Sequence, residues 1–262
     1  MSKTILYAAE TLIDNRIVHV MGYQNQAETW GPNAMLLPIP TDMKMGATNM
    51  LDMSKAKHVL SDYGEAVKRH TRGFSRGLRS LGMDDDLEAP VVFDKGSYTV
   101  VLAEDARAIP GALDRVPANK RPAPKQAIFD AYAALYPNWK IALCCWDGRL
   151  SAEPLLWWYE PTDPGRLFLP ALDGHDGNPP NIHAKVNVDH SIVVGSVTKP
   201  QGNNVHFKDT ITDELRPFLA TKVTGTEFQD MRMSNGDFAI NMSRVAYGAG
   251  GDIQRVLPPG AR

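Results

Sequence analysis

Asp173, His175, Asp176, His183, Asp189 and His190 crowd into one short stretch and include three of the chain's seven histidines. Imidazole nitrogens and carboxylate oxygens are the ligand set that zinc, manganese and iron accept. A divalent metal held by His175, Asp176 and His183 could activate water, with Asp173 or Asp189 as general base or as the group that orients a ligand. The H-D-x6-H spacing matches no established metal signature. The same residues also suit a well-made turn, in which Asp173 and Asp176 accept backbone N–H groups.

The elements that must hold these side chains are short. Apolar residues at 167–169 and 192–194 flank a loop rich in glycine, proline and asparagine, which predicts polar groups at the rim of a sheet. Period-two alternation over 184–194 predicts one strand. Ala184, Val186, Val188, His190, Ile192 and Val194 then share an apolar face, and Asp189 lies on the other with Lys185 and Asn187. On that reading His190 is a core histidine, and Asp189 cannot join it in one site unless the strand bulges or ends there.

Other candidates carry less chemistry. Arg72, Arg76 and Arg79 could share a helical face and contact phosphate, but Asp84, Asp85 and Asp86 follow at once and suit a solvated surface. The adjacent Cys144 and Cys145 lie in the apolar run IALCCW. They read as core residues of a reducing compartment rather than as a nucleophile or a bridged pair. The G-x-G-x-x-G, P-loop, G-x-S-x-G and H-E-x-x-H motifs are absent, which removes the usual entry points to dinucleotide, phosphate-loop, hydrolase-elbow and zincin chemistry.

With 262 residues, 43% of them hydrophobic, the chain can bury a sizeable core. Its 28 basic and 30 acidic residues leave a net charge of −2, which argues against nucleic acid or an anionic membrane as partner. No segment reads as a secretory leader or a membrane span, so the expectation is a soluble cytoplasmic protein. Nineteen prolines and 21 glycines point to many turns.

Strands are expected at 4–11 and 16–24 around the turn Asp14-Asn15. A proline-bounded edge strand follows at 33–39, and a hairpin over 91–101 turns at Gly96. Further strands are expected at 140–146, central and apolar, and at 154–160 and 166–169. Asn235-Gly236 reads as a type I′ hairpin turn. Helices are expected at 54–69 with Ser54 as N-cap, at 106–115, at 125–136 behind Pro124, and near 212–219. Strands with scattered helices and no regular βαβ alternation predict an α+β fold, with largely antiparallel or mixed sheets and a few peripheral helices. Residues 1–262 are expected as one globular domain with a candidate internal boundary at 117–124.

The ordered string LLPIP (36–40), FDKGSYTVVLAEDARAI (93–109), the apolar strand at 141–146 and HDG…DH (175–190) resembles uncharacterised bacterial and phage proteins of domain-of-unknown-function families. In those, an apolar strand ending in a proline pair precedes a G-x-Y-x-V segment. The resemblance implies a fold and no function, and it assigns no site residue. Two functional readings therefore stand on the residues themselves. The first is a metal-assisted hydrolase acting on a small substrate. The alternative is a non-enzymatic binding or self-assembling structural protein, whose edge strands meet a protein partner or a second copy.

Overall fold

The computed structural model describes residues 4–25, 31–68, 89–149, 153–174 and 177–261. The arginine row at 72–79, together with His175 and Asp176, lies outside the described residues. The chain is α+β, with several mostly antiparallel sheets and few helices.

Strands β1 (Thr4–Ile13) and β2 (Arg16–Asn25) form a long hairpin. Asp14 and Asn15 both take positive φ at its turn, the conformation that a two-residue hairpin loop requires. β3 (Pro32–Ile39) follows, and then helix α1 (Val59–Val67). α1 starts later than the expected Ser54 cap. The carboxylate of Asp52 accepts the Ser54 N–H at 2.9 Å, so the preceding residues form a turn instead of a first helical one.

A hairpin of β4 (Val91–Lys95) and β5 (Tyr98–Ala103) turns at Gly96, where φ is 53°. Residues Ala106–Arg115 form a 3-10 helix around Pro110, and α2 (Gln126–Leu135) follows. Next come β6 (Lys140–Asp147), β7 (Leu155–Tyr159), β8 (Arg166–Leu169), β9 (Lys185–Val188) and β10 (His190–Ser196). The chain ends through β11 (Asn203–Asn204), β12 (Lys222–Glu227), β13 (Met231–Ser234), β14 (Asp237–Asn241), the short helix α3 (Met242–Val245) and β15 (Gln254–Val256). Of the helix expected near 212–219, one 3-10 turn forms, at Arg216–Phe218.

The largest sheet runs β11-β12-β10-β1-β2-β7, with β1 and β10 parallel. Both of its faces are covered, which is why the central parts of β1 and β10, and β7, read as mostly apolar runs. Tyr7, Val20 and Val193 pack under Leu60 and Tyr63 of α1. Leu6, Ala8, Ile192 and Val194 face Leu167, Phe238 and Ile240 of a second sheet, β15-β14-β8. Met21 and Trp157 meet Leu37, Val100 and Trp146 of a third, β3-β6-β5-β4. The far face of that third sheet carries Cys145 and Leu143 against Phe129 of α2 and Ile109.

Two further expectations fail, and both of these failures shape the site. The strand over 184–194 is broken at Asp189 into β9 and β10, which belong to different sheets. Asn235-Gly236 is not a hairpin turn: β13 pairs with β9, while β14 pairs with β8 and β15. Asn235 is buried and keeps a negative φ. Its side chain is engaged with the neighbouring loop, so the chain crosses from one sheet to another where a local turn was expected. No described helix is long and apolar enough to cross a membrane.

Candidate functional site

β3 lies at the end of its sheet, paired with β6 alone among the described residues. The Gly148 N–H donates to the Gly31 carbonyl at 2.7 Å, in continuation of the β3–β6 register. Odd-numbered β3 residues are therefore the ones bonded to β6, and even-numbered ones turn their backbone groups outward. Pro32 and Pro38 are both even-numbered, so their missing N–H groups fall on the open side and cost the ladder nothing. Ala34 and Leu36 also face out. The Ala34 N–H is taken by its neighbour's Asn33 Oδ1 at 2.8 Å. Leu36 N–H and C=O have no hydrogen-bond partner among the described residues.

That open edge borders a cleft of about 640 Å3. Every residue from 33 to 38 lines it. A cleft laid on a sheet face would meet every second residue, so this one runs along the strand edge. All five residues from 186 to 190 line the opposite wall; of these, 186–188 belong to β9, whereas His190 begins β10, pairs with β1 and accepts the Phe228 N–H at its carbonyl. β9 pairs only with β13 among the described residues. The Asn235 N–H donates to Ala184 C=O at 3.0 Å, which continues the register and turns the backbone groups of Asn187 away from β13.

Asp173, Asp189 and His190 all line this cleft. The break at Asp189 lets consecutive residues turn toward each other, and Asp189 Oδ1 lies 3.3 Å from His190 Nδ1. The alternation argument had separated these two; the end of β9 reunites them. His190 is partly buried, 18% exposed at its side chain, with its ring tilted against Phe238 at 6.5 Å. His183 is exposed and does not line the cleft. It sits in a turn where Asn181 Oδ1 accepts the His183 N–H at 3.0 Å. Among the described residues no three metal-ligating side chains gather in a metal-holding group.

The loop carrying Asp173 is built over two buried side chains. Asn235 accepts the N–H of Asp173 and donates to its carbonyl, and it donates to Asn181 C=O at 3.2 Å. Asp237 accepts the N–H groups of Ala171 and Leu172 at 2.9 and 3.1 Å, and the hydroxyl of Tyr136 at 2.7 Å. Burial nevertheless pushes the Asp237 carboxyl up to about 6. Arg255 lies beside it with its guanidinium 4.5 Å over the Phe238 ring, donating to Ser234 C=O and Ala171 C=O. Burial brings that guanidinium down to about 10. Tyr23, on the cleft wall, is raised to about 12, chiefly by burial and further by the charges of Asp173 and Asp189.

The sequence marks Asn235 as a turn residue only and gives Asp237 and Arg255 no role in the site. A polar Asn-Gly-Asp leading straight into the apolar FAI was the available signal, and it was read as turn chemistry. Cys144 and Cys145 are free and buried core residues. Burial raises the Cys145 thiol to about 12 and Cys144 well above its ordinary value, which leaves neither as a nucleophile at neutral pH.

No family model matches the chain, and neither does any curated protein. Among solved structures it is similar to that of baculovirus P35, with a TM-score of 0.43 and 13% identity over 98% of this chain and 92% of that one. A likeness at that level says nothing about function.

Proposed function

We propose that this chain is a binding protein that holds its ligand in the cleft between the open edge of β3 and the 186–190 segment. The observation that carries this reading is that the outer edge of β3 and the outward backbone of Asn187 in β9, both without a neighbouring strand among the described residues, border one cavity. Its volume falls in the range of about 300–1,000 Å3 usual for ligand sites. Apolar residues such as Ile128 and Leu36 supply contact area, while Asp173, Asp189, His190 and Arg255 supply directional groups. A ligand-observed NMR screen of a soluble fragment library tests it. Binders are expected, and they should be displaced in Ala123→Trp and Asn187→Trp, two exposed positions on the cleft lining. A screen with no binder, or binders indifferent to both substitutions, overturns the reading.

Metal-assisted hydrolysis of a small substrate is the second reading, favoured by the two carboxylates of Asp173 and Asp189 on the cleft wall. In it His175, Asp176 and His183 hold zinc, manganese or iron, and Asp173 or Asp189 acts as general base. Metal analysis of the purified protein beside His175→Ala and His183→Ala tests it. Stoichiometric metal lost in both variants supports it; metal-free protein, or unchanged content, counts against it.

A further inference from the structure

We infer that the occupant of the cleft is a short extended peptide carrying a lysine or arginine, added as a strand to the open edge of β3; this rests on the cleft being a ligand site. The backbone groups on that edge decide the class. Ala34 and Leu36 present carbonyls two residues apart, a spacing of about 6.6 Å in a strand. Alternate N–H groups of an extended chain repeat at the same distance. Leu36 N–H is the edge's one unengaged donor among the described residues, because Pro32 and Pro38 have none and Asn33 takes that of Ala34. A peptide residue opposite Leu36 exchanges both bonds with it, and a residue two positions along donates to Ala34. Asn187 offers a second outward N–H and C=O across the cleft. Strand addition to an exposed edge satisfies such groups in one step, whereas a compact small molecule leaves most of them unmet.

The side-chain preference follows from charge. Two carboxylates, Asp173 and Asp189, line the cleft. The one guanidinium that lines it with them among the described residues, Arg255, is held by the carbonyls of Ser234 and Ala171 and feels the charges of the buried Asp237 and of Asp173. Two carboxylates against one guanidinium leave the described lining acidic, which favours a cationic side chain on the peptide through charge-assisted hydrogen bonds.

Fluorescence anisotropy with labelled acetyl-Val-Arg-Val-Arg-amide tests this on the full chain. Three comparisons accompany it: the Glu-for-Arg analogue, a depsipeptide with esters replacing backbone amides, and the Asp189→Asn and Leu36→Pro variants. Leu36→Pro deletes the outward N–H while leaving the β6 ladder its bonds, and a thermal melt checks that it folds. Saturable binding of the arginine peptide is expected, weakened about tenfold by the Glu exchange or Asp189→Asn, and about three- to tenfold by the ester or Leu36→Pro. Binding indifferent to charge, or to the ester, overturns the proposal; the ester arm decides should Leu36→Pro not fold. Fragments that occupy the cleft where no peptide binds also overturn it while leaving the cleft reading intact. Concentration-dependent dimerisation that blocks the edge makes a second copy the occupant and overturns it as well.

Discussion

Asn235 grips Asp173 from both sides, accepting its N–H at 2.9 Å and donating to its C=O at 2.9 Å. A buried amide thus sets the backbone of a cleft residue 62 positions away in the chain. Asn235→Ala removes these bonds together with the one to Asn181 and leaves part-buried backbone groups unmet. The expected destabilisation is about 2–4 kcal/mol, read by urea unfolding, with faster proteolysis within residues 171–181 as the local signature.

His19 and Asp237 pull the acid limb of stability in opposite directions. His19 is buried and, chiefly through burial, lowered to about 4 from 6.5. Between those values the unfolded chain binds a proton that the folded one refuses, so stability falls as pH drops from 6.5 to 4. Asp237 is raised to about 6 from 3.8, so there the folded state binds the extra proton and stability rises on acidification. Each contributes about 3 kcal/mol, and the two offset each other between about pH 4 and 6. Asp237→Asn should therefore lose about 3 kcal/mol between pH 7 and 4 relative to the parent, and His19→Leu should gain about as much. Urea titrations at pH 4, 5, 6 and 7 check this, and parallel curves for all three proteins would refute it.

Tyr136→Phe removes the hydroxyl that Asp237 accepts at 2.7 Å. The loss should be about 1–3 kcal/mol at pH 8, where the carboxylate is ionised. It should shrink below pH 6, because a protonated Asp237 depends less on that donor. A pH-independent loss would mean that only packing was disturbed.

Gly225 sits in β12 opposite Val193 of β10. A Cβ placed there would lie 2.1 Å from the Ile192 carbonyl oxygen, a contact that only backbone movement relieves. Gly225→Ala should cost about 1–3 kcal/mol, measured as a lowered denaturation midpoint with an unchanged m-value.

Cys144 and Cys145 should be silent to Ellman's reagent in the native protein and both react in denaturant, since burial keeps the thiolate population low. Native labelling at the unfolded rate would contradict the buried placement.

Local residue chemistry determined a good part of this protein. Asp14-Asn15 set a hairpin, Gly96 set another, and Pro124 marked the start of α2 within two residues. Pro38 and Pro40 marked the 33–39 run as an edge strand, because a missing N–H is tolerated only where no neighbour needs it, and β3 does lie at the end of its sheet. The α+β class and the core role of the two cysteines followed from composition and pattern. Of the candidate residues, Asp173 and Asp189 line one cleft, joined there by His190, which alternation places in the core; His183 stands apart from it, and His175 and Asp176 lie outside the described residues.

What only the tertiary structure decided depends on contacts between distant parts of the chain. Alternation cannot show that a strand ends, so Asp189 and His190 were assigned to opposite faces until the break between β9 and β10 joined them. Turn propensity cannot show that an asparagine is needed elsewhere, so Asn235 was read as hairpin chemistry while its amide served residues 173 and 181. Nor can a sequence show which sheet edges remain open. That depends on which strands arrive beside them, and here none arrives, among the described residues, on the free side of β3 or of β9.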